Sequence, residues 1–532
     1  MIDVLIIGSG GAGLSAALSA KKNGSNVLVV SKTYPTHSQT VQAQGGINGV
    51  LYEADDSVET HINDTYKASY NLSKKENIEY LCKNAKDTIL WLDSIGVPFN
   101  RDENSHISQR KFGGTKQIRT CYSSDYTGLK IVHTLFDQCI KEEIEFKNEY
   151  FLLELIVENN VCFGAVFIDI KSGNIEKILA KTTIIATGGY AGIYSNNTTN
   201  SYSNNGDGIV TALKAGAKLS NMEFVQFHPT TLATNSILIS ESARGEGAYL
   251  VDENGNRFID ELSTRDEISK AIYERNLKNE KVYLDFRHLG LGKINKLIPQ
   301  ERKLALEFSN AKIENELLEI KPSAHYTMGG ISVDIDCKSS IANLYACGEC
   351  ADVSIHGANR LGGNSLLEIT VFGQKAGLNA SNKAKMITSN EDKYDITNIT
   401  KYIETIFDKE NSINLYHIKD DLSTNLFKNL GLFRDEAKID EMISLVENIK
   451  NQFPKIGISD TTKVYNKNLI DYLELKNSTE LSKIISLCAK QRKESRGSHY
   501  RTDYKDLDEK FSKSSYVEYK ESKYIVGFED IK

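Results

Sequence analysis

Val4-Leu5-Ile6-Ile7-Gly8-Ser9-Gly10-Gly11-Ala12-Gly13-Leu14-Ser15-Ala16-Ala17-Leu18-Ser19-Ala20 decides the fold class. The apolar Val4–Ile7 reads as a short buried strand, the glycine cluster as a tight turn, and Leu14 to Ala20 as the start of a helix. A second strand, Asn26-Val27-Leu28-Val29-Val30, follows. Strand, glycine turn, helix and strand in this order let the backbone approach a pyrophosphate closely and set it on a helix N-terminus. Gly8, Gly10, Gly11, Ala12 and Gly13 are therefore the expected floor of a dinucleotide site. The second strand ends in Ser31-Lys32, where an NAD-binding unit has an acidic ribose ligand, so NAD is disfavoured.

The 532 residues suffice for more than one domain, and 40% hydrophobic with 25% charged residues is a globular balance. A net charge of -7 and the lack of any basic block exclude a nucleic-acid groove. The eight cysteines are scattered and suit a reducing compartment; Cys347-Gly-Glu-Cys350 has no second pair to complete a zinc site. The N-terminus lacks the pattern of a signal peptide, and no apolar run is long enough to span a bilayer. An anion site must then be local. Ile355-His356-Gly357-Ala358-Asn359-Arg360-Leu361-Gly362-Gly363-Asn364-Ser365-Leu366-Leu367-Glu368 offers one. Arg360 is a permanent cation with a planar donor fork, two glycines allow close approach, and Asn364, Ser365 and Leu366 present amides.

Beyond the second strand lies Tyr34-Pro35-Thr36-His37-Ser38-Gln39-Thr40-Val41-Gln42-Ala43-Gln44-Gly45-Gly46. Its Thr40–Gly46 run resembles the flavoprotein subunit of succinate dehydrogenase and fumarate reductase, with L-aspartate oxidase as the nearest cousin. Gln109-Arg110-Lys111-Phe112-Gly113-Gly114, Arg119-Thr120 and Asp125-Tyr126-Thr127-Gly128 fit the same family and favour its succinate/fumarate branch. Further matching runs are Thr183-Ile184-Ile185-Ala186-Thr187-Gly188-Gly189, Asn205-Gly206-Asp207-Gly208, Gln226-Phe227-His228-Pro229-Thr230 and Ser240-Glu241-Ser242-Ala243-Arg244-Gly245-Glu246-Gly247. Ser263-Thr264-Arg265-Asp266-Glu267, Ala324-His325-Tyr326-Thr327-Met328-Gly329-Gly330 and Arg492-Lys493-Glu494-Ser495-Arg496-Gly497-Ser498-His499 complete the set. The resemblance covers residues 3 to about 504; from Lys505 onward the sequence is uninformative.

The resemblance implies an α/β fold: a Rossmann-like FAD-binding domain (1–221 and 336–395) with an inserted α+β capping domain (222–335), a C-terminal helical domain (396–490) and a terminal segment (491–532). It implies FAD contacts from Gly8, Gly10, Gly11, Ala12, Gly13, Ser31, Lys32, Ser38, Gln39, Thr40, Gln44, Gly45, Gly46, Thr187, Gly188, Asp207, Glu349, Arg360, Asn364, Ser365 and Leu366. Asp207 is equally readable as the N-cap of a helix from Ile209 to Ala217. One substrate carboxylate falls to Arg360 and His325, the other to His228 and Ser240 with the Gly46 region, and Phe112 presses from the side. Arg265 is the expected proton donor, supplied by Glu241 and Arg244; the plain alternative is an ion pair of Arg265 with Asp266 or Glu267. Most membrane-complex members carry their FAD-linked histidine at the position of Gln39, so FAD is expected to be non-covalent, with attachment through His37 as the lesser alternative. No metal is expected.

The function implied is interconversion of succinate and fumarate at FAD, with electrons exchanged through a separate iron-sulfur subunit and membrane anchor subunits, because no iron-sulfur cysteine cluster occurs in the chain. The subunit would then sit in the cytoplasm, peripheral to the inner face of the membrane. L-Aspartate oxidase and a non-catalytic FAD-binding assembly component are the competing readings.

Overall fold

In a computed structural model, residues 2–52, 56–115, 117–388 and 394–531 are described. The first apolar run forms the strand Ile2–Ile7, and the chain turns through Gly8 into helix Gly11–Lys22. Gly8 has φ of +112°, and a Cβ on Gly13 would overlap the Gly8 carbonyl oxygen. Helix and strand thus pack more closely than any side chain at these positions permits. Strand Val27–Ser31 pairs parallel with the first strand in the register Val4↔Val27. On its other side runs Ile175–Ile185, with Ile6 opposite Ile184, and Leu344–Ala346 is parallel beyond it. Both later apolar runs therefore return to the sheet that the first one starts.

Strand Ile175–Ile185 is longer than its apolar part because its first half pairs antiparallel with Val161–Asp169, outside which lies Tyr150–Glu158. Glu145–Asn148 closes the opposite edge of this seven-stranded sheet. The parallel strands end on one side, delivering Gly8, Lys32, Thr187 and, through Leu344–Ala346, Glu349 to the same rim. That rim is where an open α/β sheet places its ligand.

A second hydrophobic core, including Leu232, Ile239, Leu250, Ile268, Leu284 and Ile320, is built within the inserted stretch. It lies on a four-stranded antiparallel sheet of Val225–Leu232, Leu318–Thr327, Val282–Asp285 and Tyr249–Val251. The later chain forms helices Thr397–Phe407, Leu415–Leu430, Glu436–Gln452 and Lys467–Gln491. The sequence border after residue 395 adjoins residues 389–393, which lie outside the described residues.

Two expectations change. Asp207 does not cap its helix: Gly206, at φ +74°, is the N-cap, and Asp207 is the first residue of Asp207–Lys214, which stops short of Gly216. The carboxylate is engaged elsewhere, as described below. The uninformative tail forms a hairpin of Ser514–Lys520 and Lys523–Glu529, which pairs with Leu219–Ser220. The turn residues Glu521 and Ser522 both have positive φ, at 50° and 61°. Asn-Gly is the usual signal for such a turn, and Glu-Ser gives none.

Candidate active site

A cleft enclosing about 1620 Å³ of empty space, part of it open to solvent, runs along the rim and under the inserted sheet. Its walls hold Gly8, Gly10, Gly11, Ala12, Ser31, Lys32, Ser38, Gln39, Thr40, Gln44, Gly45, Gly46, Thr187, Gly188, Asp207, Glu349, Arg360, Ser365 and Leu366 from the expected cofactor set. Phe112, His228, Ser240, Glu241, Arg265 and His325 line the same cleft. Gly13, Arg244 and Asn364 stand behind it. Asn364 turns its side-chain amide away, donating to Thr65 at 2.9 Å and accepting from Asn48 at 2.8 Å.

The residues present fit a bound FAD. Ser38 Oγ, Gln44 Oε1 and Thr187 Oγ1 are buried without a hydrogen-bond partner, a costly condition unless a ligand completes them. Lys32 is otherwise occupied: its ammonium donates to Asp207 at 2.6 Å, Glu474 at 3.0 Å and Asn205 at 3.3 Å. Burial lowers the Lys32 pKa, but the two carboxylates outweigh it and hold it above the usual lysine range. Asn477 donates to the other oxygen of Asp207 at 2.9 Å, so helix Lys467–Gln491 braces this end of the cleft. Glu349 accepts from the Thr327 N–H at 2.9 Å, and burial pushes its carboxyl up to about 7.

The other end is built from charge. Arg265, first residue of helix Arg265–Asn276, donates from Nε and Nη2 to Glu241 Oε2 at 2.9 and 2.6 Å. It does not pair with Asp266 or Glu267. Asp266 accepts from Tyr70 at 2.6 Å and Asn359 at 2.9 Å, and Glu267 completes the capping box with Thr264. Arg244, three residues after Glu241 on the short helix Glu241–Gly245, has Nη2 3.5 Å from Glu241 Oε1. Burial raises the Glu241 pKa, but Arg265 and Arg244 outweigh it, so the carboxyl stays below its ordinary value and ionised. Around this carboxylate gather the guanidiniums of Arg244, Arg265 and Arg360, a local concentration of positive charge suited to an anion.

Gln226 joins the two cleft arginines, its Oε1 accepting from Arg265 Nη1 at 3.0 Å and Arg360 Nη2 at 3.1 Å. His228 and His325 lie with ring centroids 4.9 Å apart. Thr230 engages His228 Nδ1 and Thr199 engages His325 Nδ1 at 2.8 Å, leaving both Nε2 atoms for the cleft. Burial, then Arg265, holds both imidazoles well below their usual pKa, hence neutral. Phe112 is packed so closely that a Cβ on Gly45 would overlap its ring.

Comparison with known proteins places the chain in a family. An FAD binding domain model matches residues 3–366, and a model for the fumarate reductase flavoprotein C-terminus matches residues 419–532. The 8-methylmenaquinol:fumarate reductase flavoprotein subunit of Wolinella succinogenes is 38% identical, covering 97% of this chain and 88% of that one. The chain belongs to the succinate dehydrogenase/fumarate reductase flavoprotein family. The succinate dehydrogenase flavoprotein subunit of Rickettsia bellii is 36% identical over 96% of this chain and 91% of its own length. A solved Escherichia coli quinol fumarate reductase flavoprotein superposes with a TM-score of 0.95 at 31% identity, covering 100% of this chain and 96% of that one. The family is one of FAD-dependent oxidoreductases, and these relatives favour the succinate/fumarate reading over L-aspartate oxidase.

Sequence reasoning for this flavoprotein missed Gln226, Tyr326, Glu474 and Asn477. The first two sit inside runs that carried the resemblance, so a signal was present. Glu474 and Asn477 sit on the long helix Lys467–Gln491, most of which is buried, and no motif marks them. The Cys347–Cys350 pair is fully buried, and burial pushes the Cys350 thiol up to about 12, unlike a reactive or metal-binding thiolate. Among the described residues no helix is long and apolar enough to cross a membrane.

Proposed function

We propose that the chain is the catalytic subunit of a succinate:quinone or quinol:fumarate oxidoreductase, and that Arg360, His228 and His325 hold a C4 dicarboxylate beside FAD while Arg265 protonates it. The convergence of these four side chains on one cleft, with Gln226 bridging the arginines, carries the reading. Bound FAD supplies or accepts the hydride. Arg360 and His325 take one carboxylate; His228, Ser240 and the backbone near Gly46 take the other. Fixing both ends lets the site twist one carboxylate out of conjugation, which makes the olefin electrophilic. Phe112 keeps the substrate pressed in place.

Arg265 gives a proton to the carbon next to the one that receives hydride. An arginine is a weak acid, so the donor needs prompt reprotonation. Glu241 returns a proton to Arg265 and is itself recharged from Arg244. The geometry suits this order, because Glu241 offers one oxygen to each arginine.

FAD is held without a covalent bond. Gln39 stands where the linking histidine belongs; its amide nitrogen cannot form that bond, and its Oε1 accepts from the Ser201 N–H at 2.9 Å. His37 is exposed. In this family the covalent bond raises the flavin potential, so a non-covalent site tilts the enzyme toward fumarate reduction. Electrons pass to or from an iron-sulfur subunit and membrane anchor subunits, which hold this chain at the cytoplasmic face of the membrane. The domain division 1–221 with 336–395, 222–335, 396–490 and 491–532 lets the second core close over the cleft as a cap. The N–H groups of Gln300 and Glu301 donate to Asp125 at 2.7 and 3.2 Å, linking cap and FAD segments on one side of the cleft.

Anaerobic stopped-flow mixing of the dithionite-reduced protein with fumarate, beside succinate-driven bleaching of the oxidised protein, tests the function. Fumarate must reoxidise the flavin and succinate must bleach it. A flavin inert to both, or oxygen-dependent turnover of aspartate instead, removes the reading.

A further inference from the structure

Arg360 is only 3% exposed, and its guanidinium carbon lies 4.2 Å from the centroid of the Tyr326 ring. The Tyr326 hydroxyl donates to Glu368 Oε2 at 2.6 Å, and His356 Nε2 meets the same oxygen at 2.8 Å. Tyr326, Glu368 and His356 are 6%, 1% and 4% exposed. Such a buried carboxylate is expensive to desolvate, and a packed apolar side chain would generally serve stability as well or better. Its place suggests a different use. Glu368 pulls on the hydroxyl end of the ring whose face carries the substrate-clamping arginine.

Two physical effects follow. A charge-assisted O–H···O⁻ bond fixes the ring and enriches its π-face, which strengthens its hold on a desolvated cation. The guanidinium is then held on three sides: by the ring, by Gln226 Oε1 at 3.1 Å and by the Leu361 carbonyl at 3.4 Å. Its Nε is buried and unpartnered. One edge of a rigid plane is left for a carboxylate, and the tilt of that plane sets how far the carboxylate twists from its olefin.

We propose that Glu368, held by His356 and acting through Tyr326, is a positioning residue that sets the plane of Arg360 in the dicarboxylate clamp. The proposal rests on the function proposed above. Oxidised holoprotein titrated with fumarate, followed by the change in flavin absorbance, gives a Kd without turnover. Glu368→Gln and Tyr326→Phe each weaken fumarate binding by about three- to tenfold, short of the loss of a whole desolvated cation–π contact because a ring stays under the guanidinium. The double variant is no weaker than either single one, because both act through the same link. FAD content is retained, and the rise in KM exceeds any fall in kcat. An unchanged Kd in Tyr326→Phe, which keeps the ring and the fold, overturns the proposal, as do effects that multiply in the double variant. Wild-type protein showing no fumarate-dependent change removes the dicarboxylate reading itself, and this proposal with it.

Discussion

Replacing Arg265 by lysine separates proton donation from charge alone. The guanidinium spans from Glu241 Oε2, at 2.9 and 2.6 Å, to Gln226 Oε1, at 3.0 Å. An ammonium is a single point and cannot occupy both ends, so either the proton source retreats from the substrate or its supply from Glu241 breaks. Loss of a general acid costs about 10²–10⁴ in rate, which is about 2.7–5.4 kcal/mol of barrier at 1.36 kcal/mol per tenfold. Alanine is the poorer test. It leaves Glu241, 1% exposed, with only the longer contact to Arg244 at 3.5 Å, and unpairing a buried charge costs about 3–5 kcal/mol of stability. In anaerobic stopped flow, Arg265→Lys should slow fumarate reoxidation of the reduced flavin by about 10²–10⁴, with FAD content unchanged. Glu267→Gln should keep the rate and lower stability by about 1 kcal/mol at most, since Glu267 serves the capping box. An Arg265→Lys rate within about threefold of wild type would refute the assigned donor, because no general acid of the expected strength would have been lost.

Acid precipitation should leave the flavin in the supernatant, since Gln39 cannot link it; flavin in the pellet would point to His37. Glu349, pushed up to about 7 by burial, is protonated in the apoprotein below that pH, and as the FAD ribose contact that the family resemblance implies it accepts hydroxyls more strongly once ionised. FAD affinity, measured by calorimetry, should therefore rise by up to about tenfold per pH unit between pH 5.5 and 7 and level off above; Glu349→Gln should flatten the profile, and an unchanged slope would exclude Glu349. In Gly45→Ala, the new methyl overlaps the Phe112 ring. Fumarate affinity should fall at least about tenfold with FAD retained, whereas wild-type affinity would show that the ring has room to move.

What was legible in the sequence follows from how local each signal is. The dinucleotide turn is local: strand, glycines and helix are consecutive, and Gly13 is forced by the Gly8 carbonyl within the same unit, although a side chain on Gly8 would meet the Ala186 carbonyl from a distant strand. The parallel partners of the first strand were legible as apolar runs, although only the structure shows that Ile175–Ile185 serves two neighbours of opposite direction. Arg265 marks the limit. The sequence offers Asp266 and Glu267 as adjacent counter-ions, but side chains next to each other on a helix do not face one another, and the real partner, Glu241, is 24 positions away on another element. The same holds for Lys32, whose residue type at the end of a strand pointed to a cofactor ligand. Its three donors have three acceptors, one of them Glu474 on the C-terminal helix, so its ammonium ties segments together. Chemistry-bearing residues could be picked out by type and motif, but which of them stay available to a ligand depends on hydrogen-bond saturation. By that criterion, the unpartnered Arg360 Nε and the free Nε2 edges of two neutral histidines mark the substrate end of the cleft, and the saturated Lys32 marks its braced end.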